Sequence, residues 1–316
     1  MGQIYCADAL EGLKKIKDKS VSCCITSPPY YGLRDYGVDG QIGLEPTPEE
    51  YISHLVSVFH EVWRVLRDDG TLWIIIGDSY AGSGKGAWKN KKAQKEVYIP
   101  DPQGAEAKMA KTFDGIKAKD LIGIPWMLAF ALRADGWYLR QDIIWHKPNA
   151  MPESVKDRCT KSHEYIFLLS KSQKYYYNYE AILEDAKHES GIRYQYAFGG
   201  AKSARLSREG YGQTRPIGYR KYDGKRNKRD VWTVSTKPFK QAHFATFPPD
   251  LILPCILAGC PKGGTVLDPF LGSGTTAVVA KANGRDYIGI DCNPEYCKMA
   301  ESRLENTFEQ TKIEGI

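Results

Sequence analysis

The chain is expected to form an α/β fold around a mainly parallel sheet. Three observations carry that expectation. Strand-like and helix-like segments alternate from the N-terminus onward. The strand-like runs, such as "VSCCIT", "TLWIII" and "EYIFLLS", are short and almost continuously apolar, as strands buried on both faces require. After two departures in the middle, the last part of the 316-residue chain returns to the same order.

The elements follow in turn. A strand at 3–7 ("QIYCA"), a helix at 8–16 and a strand at 21–26 open the chain. A helix is predicted from Thr47 to Leu66. Pro48 fits its first turn, two glutamates follow, and Tyr51, Leu55, Val58, Val62 and Leu66 recur at helical spacing. "DDG" is expected to stop it before "TLWIII". Residues 82–119 show no apolar face and are read as an insertion loop. A helix over 118–136 and strands over 138–147 and 164–170 resume the pattern. Residues 171–230 then change character. Between Lys187 and Arg229 stand twelve Lys/Arg against three Asp/Glu, interleaved with tyrosines. A loop-rich, basic, aromatic module is expected there. The C-terminal part reads as helix ("DLILPCILAG"), strand ("GTVLDPF"), glycine turn, helix, strand ("YIGID") and helix.

Composition narrows the class. The net charge of +6 permits a nucleic-acid partner without demanding one. The eight cysteines lack any C-x-x-C or zinc spacing, so no metal is expected and reduced, buried thiols are. No signal peptide or membrane span is visible, and a cytoplasmic protein is expected.

Two stretches carry chemistry. In the first, "TVLDPFLGSGTTAVVAKANGRDYIGID", a strand ends at Asp268, a tight turn runs through Phe270, Gly272 and Gly274, and a helix opens at Thr275. The next strand ends on Asp291. Doubly wound folds hold adenosine cofactors in this way, with an acid accepting from ribose hydroxyls. Ala277 replaces the third glycine of a dinucleotide fingerprint. Asp268 before the turn suits an ammonium better than a pyrophosphate. "GSGKG" at 82–86 fails as a phosphate loop, because Ser79 and Gly86 stand where Gly and Ser/Thr are needed.

In the second stretch, "CCITSPPYYG", two prolines end a buried strand. Prolines fix φ and remove backbone donors, leaving a rigid array of acceptors. Paired with the glycine turn, "TSPPY" at 26–30 and "DPFLGSGTT" at 268–276 resemble the amino-group DNA methyltransferases that use S-adenosyl-L-methionine. The order of the motifs resembles the β-type circular arrangement of that family. "GTLWIIIGDSY", the 145–172 block and "HFATFPPDLI" are also similar to family blocks.

The resemblance implies a Rossmann-like methyltransferase fold. It implies a catalytic half over 1–174, a target-recognition region over 175–232, and a cofactor-binding half over 233–316 in the same domain as 1–174. By resemblance, Ser27 and the Pro28 carbonyl accept from the target amine, and Tyr30 stacks on a flipped base beside Pro29. Asp8 meets the cofactor adenine, and Phe244 and Thr246 line the methionine pocket. Asp268, Phe270, Gly272, Gly274, Thr275 and Asp291 complete the cofactor set. Taken alone, Asp8 is equally a helix N-cap. Methyl transfer would be a direct in-line displacement.

Serine at the head of the motif makes cytosine N4 the expected target, with adenine N6 as the alternative. RNA or protein amides, an inactive nucleic-acid-binding regulator, and a nicotinamide oxidoreductase are weaker readings. Cytosine C5 chemistry through Cys255 is disfavoured, since that residue lies on an apolar helix pattern. The expected partner is double-stranded DNA, with a homodimer and a cognate restriction endonuclease as further candidates. Lys156, Arg158, Arg205, Arg208, Arg215, Arg220, Arg226 and Arg229 are the candidate DNA contacts. Lys161 could join Lys156 and Arg158 on phosphates. His146 is read as structural.

Overall fold

The computed structural model describes residues 2–33, 40–81, 115–186, 224–236 and 247–313. Eight strands form one sheet: β1 (Gln3–Cys6), β2 (Val21–Thr26), β3 (Leu66–Ile76), β4 (Tyr138–His146), β5 (His163–Ser170), β8 (Val231–Thr233), β9 (Thr265–Asp268) and β10 (Asp286–Asp291). Their spatial order is β1-β10-β9-β2-β3-β5-β4-β8. Only β5 runs against its neighbours. The sheet is therefore mostly parallel, and the fold is Rossmann-like.

Helices cover both faces, which is why the central strands lack polar alternation. Cys24, Leu72, Ile74 and Phe167 join the core under α1 (Ala9–Leu13), α2 (Pro48–Val65) and α3 (Ile124–Ala134). The alternate residues Cys23, Thr71 and Trp73 meet Gly259 of α4 (Pro249–Gly259). α5 (Thr275–Ala282) and α6 (Pro294–Ile313) pack on the C-terminal strands.

The termini of α2 follow local rules. Thr47 caps it by accepting from the Glu50 N–H at 3.2 Å, and Pro48 stands at its start. Such a cap contributes about 1 kcal/mol. The chain then enters β3 at Leu66 without the break expected from "DDG". Leu66 already pairs with Val21, and a register shift before the Cys23–Thr71 pair absorbs the intervening residues. α3 begins at Ile124, six residues later than expected. Gly123 precedes it at φ +86°, and its first N–H groups are capped by Asp78, which lies beyond the end of β3. A cap from 45 residues away leaves no local signal.

The C-terminal strands β9 and β10 slot between β1 and β2. One compact unit accordingly comprises Met1–Tyr177 and Asp230–Ile316; a second comprises Asn178–Arg229. In the second unit β6 (Glu184–Asp185) pairs with β7 (Lys225–Arg226). Among the described residues no helix is long and apolar enough to cross a membrane.

Candidate active site

Seven of the eight strands end at one edge of the large sheet. β2 and β9 are neighbours there. The chain leaves β2 for the helices of one face and leaves β9 for α5 on the other. In open α/β sheets, ligands bind outside the strand ends where the chain diverges to opposite faces in this way.

One contact joins the two motifs. Thr26, fully buried at the end of β2, donates its hydroxyl to Asp268 Oδ1 at 2.6 Å. The Thr276 hydroxyl donates to Asp268 Oδ2 at 2.6 Å, and the Phe270 N–H to Oδ1 at 3.1 Å. Asp268 is 1% exposed. It fastens strand, turn and helix together. Burial pushes its carboxyl up to about 6, against the pull of these three donors.

The turn itself needs glycine. Gly272 and Gly274 adopt φ +54° and +85°. A Cβ on Gly274 would lie 2.6 Å from Ala300 Cβ, whereas one on Gly272 would meet nothing within 4 Å. The Gly272 N–H donates to Asp291 Oδ2 at 2.8 Å, and the Asn293 N–H donates to Oδ1. Both oxygens of Asp291 are thus aimed, and each keeps lone-pair capacity. Burial raises its carboxyl as well.

Asp8 at the end of β1 is the N-cap of α1, accepting from Leu10 and Glu11 N–H groups. Its side chain serves the helix first, and it lies at the same edge as Asp291, since Cys6 pairs with that residue. The Thr275 hydroxyl accepts from Arg303, which also holds Ser273. Its side chain braces α5 against α6. Phe244 and Thr246 lie outside the described residues.

The proline turn is built by residues that sequence reasoning missed. Pro28 is buried, and Ser27 and Tyr30 are half-buried. The Pro29 carbonyl accepts from the Tyr51 hydroxyl at 2.7 Å. Among the described residues nothing donates to the Pro28 carbonyl. The Tyr30 hydroxyl donates to Glu164 Oε2 at 2.8 Å. Glu164 Oε1 accepts from Lys147, and that ammonium lies 4.1 Å above the Trp145 ring. Burial first, then the Glu164 charge, holds the Tyr30 phenol well above its usual range. A charged residue at the start of an apolar strand was the one available signal for Glu164.

The candidate DNA contacts divide three ways. Lys156 is exposed. Arg158 pairs with Glu153 at 2.6 Å and lies over the Tyr80 ring, and Lys161 donates to the Asp78 carbonyl at 2.7 Å. These two are engaged within the fold rather than extended toward a phosphate. In the second unit Arg226 and Arg229 both pair with Glu184, at 2.9 and 2.7 Å. Arg205, Arg208, Arg215 and Arg220 lie outside the described residues. His146 bonds Thr233 at 3.1 Å, and Cys255 is buried with its thiol on the Leu251 carbonyl of its own helix.

The chain as a whole matches known proteins in sequence and in fold. A family profile described as DNA methylase, for N6 and N4 enzymes, matches residues 21–302. The chain belongs to this family. It is 49% identical to the type II methyltransferase M.Cfr9I of Citrobacter freundii, over 96% of this chain and 87% of that protein. With M.SmaI of Serratia marcescens it shares 45% identity, over 96% and 90%. Among solved structures it resembles PvuII DNA methyltransferase (cytosine-N4-specific), with a TM-score of 0.62 and 18% identity over 100% and 93%. It also resembles an M1.HpyAVI–SAM complex, with a TM-score of 0.53 and 18% identity over 96% and 99%. The last two likenesses concern the fold. The chain is thus a DNA methyltransferase of the N6/N4 family.

Proposed function

We propose that the protein methylates the exocyclic N4 of cytosine at a specific sequence in duplex DNA, with the base flipped out of the stack. The Thr26–Asp268 hydrogen bond carries this reading, because it brings the acceptor loop and the cofactor turn into one site. The cofactor is S-adenosyl-L-methionine, which supplies an activated methyl group on a sulfonium centre when bound. The site suits a cationic adenosine compound: two carboxylates flank a turn that lacks a Cβ where Gly272 faces open space.

The amine of a nucleobase is a weak nucleophile, since its lone pair conjugates into the ring. Ser27 Oγ and the Pro28 carbonyl accept its N–H groups as positive charge develops there. Tyr30, anchored through its hydroxyl, offers a fixed ring face to the base. Asp291 receives the ribose hydroxyls, with Asp8 beside it. Phe244 and Thr246 border the methionine end. Asp268 and Asp291 supply the countercharge. Serine at the head of the motif favours cytosine; members of the family that the motif resembles with aspartate there are mostly adenine enzymes. The basic 178–229 unit reads the sequence, Lys156 holds phosphate, and the protein works in the cytoplasm beside a restriction endonuclease of the same specificity.

The raised Asp268 carboxyl gives a pH signature. A cation favours its ionised form, so binding releases a proton near pH 6 and below. S-adenosyl-L-methionine affinity is expected to rise from pH 5 to 7 and then level off. Calorimetric titration in buffers of different ionisation enthalpy measures the released proton. In the free protein the sign is the reverse. The raised value contributes stability below pH 3.8 that is lost as pH rises through about 6.

The function is tested by incubating protein, methyl-labelled S-adenosyl-L-methionine and bacterial genomic DNA. Label is expected in the DNA; no label in DNA of diverse sequence overturns the reading.

A further inference from the structure

The glycine turn is held from two sides. On one side stands β10: the Leu271 N–H donates to the Ile290 carbonyl at 2.9 Å, and the Gly272 N–H donates to Asp291. On the other stands α6, where Ala300, Arg303 and Leu304 share one face at i, i+3, i+4 spacing. Ala300 lies against Gly274, and Leu304 packs with Leu271, Ala277 and Ala300. Arg303 supplies the polar part of this hold. Its Nη1 shares two hydrogens among the Ser273 carbonyl at 2.6 Å, the Ser273 hydroxyl at 2.9 Å and the Thr275 hydroxyl at 3.2 Å. Ser273 and Thr275 are both buried, so these bonds are sheltered from water.

We propose that Arg303 is a positioning residue that holds the Gly272–Thr275 turn in the shape that receives S-adenosyl-L-methionine, and so sets cofactor affinity from outside the cofactor's reach. The proposal rests on the reading that this turn receives the cofactor. Two residues of the turn sit at positive φ, and glycine there gives an unheld chain many competing shapes. A turn that must be ordered at the moment of binding loses affinity by the cost of ordering it; a turn already held does not. Support of α5 itself is a poor account of Arg303. Its cation lies beside the first residue of that helix, an end that favours anions. What the guanidinium supplies is geometry, since one nitrogen fixes both a backbone oxygen and the side chain of Ser273.

Arg303→Met keeps an apolar stem and removes every donor. Arg303→Lys keeps a charged donor without the planar fork. Ser273→Ala removes one of the three acceptors and leaves the other two.

The test uses the intact chain. Calorimetric titration with S-adenosyl-L-methionine gives affinity, methylation of a duplex that the wild-type enzyme modifies gives kcat and KM, and urea denaturation gives stability. Arg303→Met is expected to weaken cofactor binding about tenfold and to raise KM for the cofactor to match, while kcat at saturating cofactor and KM for DNA stay within about twofold. Arg303→Lys and Ser273→Ala are each expected to bind the cofactor about threefold more weakly than wild type. Arg303→Met combined with Ser273→Ala is expected to bind no more weakly than Arg303→Met alone. A residue that serves stability only would lower the denaturation midpoint and leave the folded protein's affinity as it was. Wild-type affinity in folded Arg303→Met therefore overturns the proposal, as does a fall in kcat with affinity unchanged. Should that variant fail to fold, wild-type affinity in both Arg303→Lys and Ser273→Ala overturns it. If Asp291→Ala binds the cofactor at wild-type affinity, the underlying reading of the turn fails instead. If Asp291→Ala is crippled in binding while the Arg303 variants are not, only the role of Arg303 falls.

Discussion

Ser27→Ala is expected to lower kcat by at least about 100-fold, close to 3 kcal/mol of transition-state stabilisation. Cofactor affinity should stay within about twofold, because the cofactor turn is tied to Thr26 and not to Ser27. The side chain is small and half-buried, so stability should change by less than about 1 kcal/mol. Single-turnover methyl transfer together with equilibrium binding of S-adenosyl-L-methionine separates these quantities. An equal fall in binding and turnover would mean that Ser27 serves the cofactor instead of the amine.

The second large effect is expected at Asp268. Alanine there strands the Thr26 and Thr276 hydroxyls and the Phe270 N–H in a dry place. Each buried donor left without a partner costs about 1–3 kcal/mol. Against this stands the cost of keeping an ionised carboxylate buried at neutral pH. Its shift from 3.8 to about 6 corresponds to roughly 3 kcal/mol. The two effects offset in part, so Asp268→Ala should lose only about 2 kcal/mol of stability. Methyl transfer should nevertheless fall more than about 1000-fold, because the turn, the acceptor loop and the countercharge lose their common anchor. Asp268→Asn separates shape from charge. It should match or exceed wild-type stability at pH 7 and bind the cofactor weakly, with the rise between pH 5 and 7 much reduced. Urea denaturation at pH 7 and calorimetric titration across that range check both variants. Wild-type cofactor affinity in Asp268→Asn would remove the charge from the account.

The two motifs were legible because each is local. A double proline after an apolar run, or a glycine turn between two strand-end acids, is written in consecutive residues. What joins them is not. Thr26 meets Asp268 across 242 residues through the β2–β9 pairing, which periodicity does not disclose. Glu164 reaches Tyr30 only because β5 runs antiparallel beside β3, setting Tyr165 opposite Ile76. Tyr51 looked like one more apolar position of α2, yet its hydroxyl occupies the Pro29 carbonyl. The start of α3 is hidden for a related reason, since its cap comes from Asp78, 45 residues earlier and just past the end of β3. Charge gave a half-answer. Arg158, Arg226 and Arg229 stand in basic stretches, but each has an acidic partner inside its own unit. A count of arginines does not distinguish a cation that meets DNA from one that holds a loop.

In the proposed function an amine acceptor and a methyl-donor turn share one site, joined by the Thr26–Asp268 hydrogen bond. The most direct measurement is nucleoside analysis by mass spectrometry of DNA treated with this protein and isotopically labelled S-adenosyl-L-methionine. The label is expected on N4-methylcytosine and to disappear with Ser27→Ala. Label on N6-methyladenine would contradict the choice of base, and label on 5-methylcytosine would contradict the amine chemistry itself.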